Sequence, residues 1–169
     1  MGLLKADILI VDGYNIIGSW EDLKALRDTS MGSARDQLIS TLSAYVPWCW
    51  ERIIIVFDGQ SFNWEHLDGI EVVFTEGKET ADTMIEKLAA GLSASSQVEV
   101  ATSDYAEYRA AFGFGAWCIS APTLKERLVE CQDSYKRKLT GKKKDKGIML
   151  NDILNQSVLD SLQRLRGSR

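Results

Sequence analysis

The chain alternates apolar β-branched runs with stretches whose apolar residues recur at helical spacing. Ile8-Leu9-Ile10-Val11 predicts a first strand over about 7–11, and Ile53-Ile54-Ile55-Val56-Phe57 a second over 52–57. Near-continuous apolar runs of this kind mark strands buried on both faces, as in parallel sheets. A third strand is expected near 70–74, a fourth near 97–102 and a short fifth over 116–119. Between them, a short polar helix is expected near 21–27. A longer one over 31–46 carries Ala34, Leu38, Leu42 and Tyr45 on one face and ends at Pro47. Residues 59–69 read as a surface loop holding Trp64 and His66. Thr80 can cap a helix over about 81–94 that turns Met84, Ile85, Leu88 and Leu92 inward. Further helices are expected over 104–112, stopped by Gly113, and from Ser120 or Thr123 to about 139. A basic loop and an amphipathic helix over 151–165 close the chain. Strands alternating with helices predict an α/β fold, a mainly parallel central sheet with helices on both faces.

The length of 169 residues suits one domain with a sizeable core, and 45% hydrophobic with 26% charged residues is an ordinary globular composition. No apolar run approaches the roughly 20 residues that span a bilayer, so no membrane partner is expected, and the N-terminus carries no secretory pattern. Three cysteines, an odd and sparse set, fit a reducing compartment such as the cytoplasm, or the chloroplast stroma if a transit peptide has been removed. They lack the close ligand pairs of a zinc site. The net charge of −4 is unevenly spread. Residues 136–146 carry Lys136, Arg137, Lys138, Lys142, Lys143, Lys144 and Lys146 against one acid, leaving the rest strongly acidic. A basic strip on an acidic body suggests an anionic partner, here RNA, although such a run also serves as a solvated helix end.

The candidate chemistry lies at the strand ends. Asp12 ends the first strand and opens Asp12-Gly13-Tyr14-Asn15; Asp58 ends the second and opens Asp58-Gly59. Glu79 and Asp82 come after the third, and Ser103 and Asp104 after the fourth. Ligands of open parallel sheets bind in the crevice at the carboxyl ends of the strands, so these acids can converge. Converging carboxylates repel unless a hard cation sits between them, and oxygen-only ligands suit Mg²⁺ or Mn²⁺. Asp12, Asp82 and Asp104 are the expected metal ligands, Asp58 a further catalytic acid, Asn15 a partner to a carboxylate or a metal-bound water, and Ser103 and Glu79 supporting residues. Gly13 is expected to let the backbone turn sharply after Asp12. Each position also has a plainer explanation: Asp-Gly is turn chemistry, Asp82 favours a helix start, and Asp104 could cap a helix with Glu107. Tyr14, Trp20 and Trp64 could stack on unpaired bases, or simply pack. Gly113-Phe114-Gly115 follows a helix rather than a strand and no phosphate-binding loop is present, so no nucleotide cofactor is expected.

Asp12-Gly13-Tyr14-Asn15, Val56-Phe57-Asp58-Gly59, Thr80-Ala81-Asp82, Ala101-Thr102-Ser103-Asp104 and Ser33-Ala34-Arg35-Asp36-Gln37-Leu38, taken in order, resemble the NYN branch of the PIN-like nuclease superfamily, in particular the YacP-like ribosome-associated endoribonucleases. The resemblance implies a three-layer α/β/α sandwich, with a nuclease domain over 1–135 and a basic loop and C-terminal helix over 136–169 in the same globular unit. It also implies a Mg²⁺- or Mn²⁺-dependent endoribonuclease that cleaves mRNA on the translating ribosome, with the acidic cluster at Asp12, Asp58, Asp82 and Asp104 beside Asn15. A rival reading is a non-catalytic RNA- or ribosome-binding module that keeps the fold. A phosphatase of the haloacid-dehalogenase type would need Asp two residues after Asp12, where Tyr14 stands.

Overall fold

The computed structural model describes residues 6–46, 48–104 and 113–146. Its elements, in chain order, are β1 (Ile8–Asp12), α1 (Gly13–Ser19), α2 (Glu21–Thr29), α3 (Met31–Ser43), β2 (Arg52–Phe57), β3 (Asn63–Leu67), β4 (Ile70–Phe74), α4 (Ala81–Leu92), β5 (Val98–Ala101), β6 (Trp117–Ile119) and α5 (Ala121–Lys146). The chain divides into two compact units, 1–131 and 132–169.

The first unit is built on a six-stranded sheet in the order β3-β4-β2-β1-β5-β6. All neighbours pair in parallel except β3 with β4. The alternating pleat sorts the apolar strand residues into two cores. Leu9, Val11, Ile53, Ile55, Phe57, Ile70 and Val72 pack under α1, α2, α3 and the start of α5. Ile8, Ile10, Ile54, Val56, Val73, Val98 and Val100 pack under α4. The chain steps from β1 to β2 in one direction along the sheet and from β4 to β5 in the other. Crossovers of the same right hand must then lie on opposite faces, which gives the three-layer α/β/α arrangement.

Two expectations are corrected here. The segment 59–69 is not merely a surface loop: Asn63–Leu67 forms β3, paired antiparallel with β4. Asp68 and Gly69 both take positive φ (51° and 82°) and make the two-residue turn between them, the geometry that Asp-Gly favours in tight hairpins. Glu71 fastens this edge. It accepts two hydrogen bonds from Arg52 on β2 (2.8 and 3.1 Å) and one from Trp64 Nε1 on β3 (3.1 Å). The tetrad after β1 is likewise helical: Gly13 opens α1, with Asp12 as its cap.

α5 is held to the sheet by a buried polar link. Glu99 on β5, 3% exposed, pairs with Arg127 Nη2 at 2.9 Å and accepts from Trp50 Nε1 at 3.0 Å. Trp20 Nε1 donates to Ala121 O at 3.0 Å. Cys49 and Cys131, unpaired in the sequence reading, are joined by a disulfide, their Cα atoms 6.0 Å apart where α5 passes the loop entering β2.

In the second unit α5 continues through the strip expected as a basic loop, as far as Lys146. Lys, Arg and Leu are good helix formers and outweigh the single Gly141. Lys136, Arg137 and Lys138 are exposed, and Thr140 Oγ1 donates back to Lys136 O and Arg137 O. The helices expected over 104–112 and 151–165 lie outside the described residues. Among the described residues no helix is long and apolar enough to cross a membrane.

Truncating Glu99 would strand the Arg127 guanidinium and the Trp50 N–H together. Glu99→Ala should lower the unfolding free energy by roughly 3 kcal/mol, the low end for a broken buried pair because Arg127 keeps some solvent contact. Urea denaturation with an unchanged m-value would show it.

Candidate functional site at the C-terminal edge of the sheet

Strand order reverses between β1 and β5, and open parallel sheets form their crevice at such a switch point. Asp12 stands at that point. It is the last residue of β1, opposite Val56 of β2, and only 8% exposed. A buried carboxylate needs donors, and one is Asn15 N–H, 3.2 Å from Asp12 Oδ1. Asn15 then links α1 to the loop after β5. Its Oδ1 accepts from Ser103 N–H at 2.8 Å, and Ser103 Oγ accepts from Ala121 N–H, the first residue of α5, at 3.2 Å. Asp104 N–H donates to Thr102 Oγ1 at 3.1 Å, which shapes the loop that carries the Asp104 carboxylate. The link expected from Asn15 to a carboxylate or bound water is thus, in its side chain, a link to the backbone beside Asp104.

On the other side of β1, Asp58 follows β2 and points its Oδ1 at Ala81 N–H, 2.7 Å away. It thereby caps α4, whose first turn holds the exposed Asp82. Thr80 caps the same helix, accepting from Thr83 N–H at 3.2 Å, as its sequence position predicts. Glu79 forms an ion pair with Lys87. Asp12, Asp58, Asp82 and Asp104 therefore all lie along one edge, at the ends of β1 and β2, the start of α4 and the loop after β5. They are not gathered into one cage: among the described residues, no three acidic, histidine or cysteine side chains form a group that could hold a metal ion.

The Asp-Gly dipeptides after β1 and β2 need their glycine for space. A Cβ on Gly13 would lie 2.2 Å from Phe57 Cε1, and one on Gly59 would lie 2.8 Å from the Thr75 carbonyl oxygen. Neither glycine has positive φ, so close approach, not the sharp turn expected at Gly13, is what excludes a side chain.

The sequence reading missed a cleft of about 450 Å³ beside Asp58. Tyr14, Arg35, Gln60, Asn63 and Phe74 line it with Asp58. Arg35 Nη1 donates to Tyr14 Oη at 3.0 Å, and the guanidinium lies 5.6 Å from the centre of the Phe74 ring. The overlooked signal was Leu67-Asp68-Gly69-Ile70, which predicts the hairpin that brings Asn63 alongside Phe74. Trp64 falls one residue out of phase, on the opposite face, and Trp20 is buried. Of the three loop aromatics, only Tyr14 lines the cleft.

Two substitutions test this architecture. Asp58→Ala should cost about 1 kcal/mol through the lost cap of α4, and Asp58→Asn, which retains an acceptor, clearly less; thermal melts would compare them. Gly13→Ala should cost at least about 2 kcal/mol, because the Phe57 ring is backed by Tyr14 and Phe74 and has little room to retreat. A denaturant midpoint would measure that loss.

The profile of the YacP-like NYN domain family matches residues 9–167. Protein YacP of Bacillus subtilis (strain 168), described as uncharacterized, is 40% identical over 168 residues, covering 95% of this chain and 96% of that one. The crystal structure of a tryptophan-to-leucine mutant of Rae1 (YacP) from B. subtilis superposes with a TM-score of 0.67 at 38% identity, over 92% of this chain and 99% of that one. A second B. subtilis Rae1 (YacP) crystal structure gives 0.63 at 36% identity, over 96% and 95%. With the family profile spanning nearly the whole chain and close relatives sharing both sequence and architecture, the protein belongs to the YacP-like NYN domain family.

Proposed function

We propose that this protein is an endoribonuclease that hydrolyses phosphodiester bonds of mRNA in association with the translating ribosome. One observation carries the reading: Asp12, a buried carboxylate, stands at the end of the central strand where strand order reverses, with three further acids along the same edge. Family membership supports it, since the NYN fold belongs with the PIN-like nucleases. A protein that only bound RNA would gain nothing from concentrating negative charge in its crevice.

The candidate donors are carboxylate and amide oxygens, the set that suits Mg²⁺ or Mn²⁺. They do not form a three-carboxylate cage. They do suit an ion held by one or two carboxylates with its remaining positions left to water and substrate phosphate, which is the usual habit of Mg²⁺. Asp12 with Asp104 or Asp82 would hold such an ion. It would supply Lewis-acid polarisation of a phosphate oxygen and lower the pKa of bound water. The protein's own contribution is positional. The Asn15 backbone fixes the Asp12 carboxylate, the Asn15 side chain sets the loop before Asp104, and Asp58 sets the helix start that carries Asp82. Cleavage of this kind leaves a 5′-phosphate and a 3′-hydroxyl. The exposed Lys136, Arg137 and Lys138, and the basic run through Lys142, Lys143, Lys144 and Lys146, suit the phosphate backbone of mRNA or ribosomal RNA.

The absence of a preassembled carboxylate group among the described residues favours a second reading, an RNA-binding module without catalysis. One experiment separates the two. In a translation reaction containing Mg²⁺ or Mn²⁺, wild-type protein should cut a reporter mRNA. Asp12→Asn should cut it about a hundredfold more slowly or worse, and omitting ribosomes should show whether they are required. Equal cleavage by both proteins would sink the site assignment. Cleavage by neither, with ribosome binding retained, would establish the binding module.

A further inference from the structure

The cleft beside Asp58 has no part in the proposed hydrolysis, yet its chemistry is specific. We propose that it is a subsite for one unpaired RNA nucleotide, with the phosphate on Arg35 and the base edge read by Gln60 and Asn63. The inference rests on the RNA reading above but not on catalysis.

Arg35 carries the argument. It is half-buried, and among the described residues no carboxylate pairs with it, although the body of the protein is acidic. One of its five N–H groups is satisfied by Tyr14 Oη, and its cationic face lies over Phe74. These contacts fix the guanidinium without neutralising it. A planar, pre-oriented cation held without an ion pair is the group that binds a phosphate through paired hydrogen bonds. Its own plane, and that of Tyr14, can also stack on a splayed base.

Two further lining side chains fit the base of a nucleotide. Gln60 and Asn63 are exposed amides, each offering donors and an acceptor, the combination that reads a Watson–Crick edge. Asn63 is placed by pairing with Phe74 across the β3–β4 hairpin. Asp58 also lines the cleft, and its negative charge repels phosphate. A nucleotide is thereby oriented in one sense, phosphate toward Arg35. The cleft volume of about 450 Å³ lies within the common range for small-ligand sites, roughly 300–1,000 Å³. Because Asp58 belongs both to the cleft and to the acidic edge, the nucleotide held here is a neighbour of the one being cut. The cleft would then give cleavage a base preference on one side of the scissile bond.

The test measures binding with hydrolysis switched off. Fluorescein-labelled octaribonucleotides of A, C or U are titrated with the full-length protein in EDTA and followed by anisotropy. Wild type should rank the three. Arg35→Gln should weaken all of them by roughly tenfold, the contribution of a hydrogen bond to a charged group. The double variant Gln60→Ala/Asn63→Ala changes only exposed side chains. It should flatten the ranking, each lost base contact being worth roughly two- to tenfold, while leaving the Arg35 contribution in place. If both variants bind and rank the oligomers as wild type does, the subsite is wrong, even if the protein cleaves mRNA. If wild type binds none of them, the subsite is equally overturned, and the translation assay alone decides the nuclease reading. An Arg35→Gln protein that has lost its fold, judged by circular dichroism, leaves the double variant as the deciding measurement.

Discussion

The organisation of this protein depends on a strand that must be covered on both sides. β1 and β2 expose no edge and carry apolar side chains on both faces, so each face needs its own helices. With right-handed crossovers, that demand is met only if the chain leaves β1 in one direction along the sheet and later returns past it in the other. Reversal makes the end of β1 the switch point where open parallel sheets form their crevice, and Asp12 stands there. The position of the candidate chemistry is in this sense a by-product of burying Ile8 to Val11.

Once the crevice exists, its walls are tied together by short polar links rather than by packing alone. The Asn15 side chain joins the start of α1 to the loop after β5, and Ser103 passes the connection to the start of α5. Asp58 joins the end of β2 to the start of α4. In each case a side chain from one element satisfies a backbone N–H of a neighbouring one, and at the helix starts there are donors to spare. Asp58 does two things at once: it ties β2 to α4 and places negative charge on this edge. A substitution of Asp58 is therefore to be interpreted through stability as well as through the proposed chemistry.

Much of this was legible in the chain itself. The apolar runs at 7–11, 52–57 and 70–74 state where the buried strands are, because only a doubly covered strand tolerates such continuity. Thr80 announces α4 as a cap, and the acids after the strands fall along one edge. The relatives found by comparison have the expected architecture. What was misread were elements whose signals are short. The hairpin rests on Asp68-Gly69, two residues in an otherwise polar segment. The continuation of α5 through the lysines rests on propensity, which a dense charge run obscures.

The sequence by itself determined the class of fold, the succession of its buried strands and the edge on which the acids fall, since these follow from local periodicity and from which residues avoid water. Tertiary structure alone decided what those residues touch. Glycines 13 and 59 look like turn formers in the chain. In the fold they are spaces left for the Phe57 ring and the Thr75 carbonyl, a requirement imposed by residues 44 and 16 positions away. Arg35 and Asn63 appear as unrelated surface residues until β3 pairs with β4 and α3 packs on the sheet. Contacts of that kind depend on distances between elements, which no local pattern encodes.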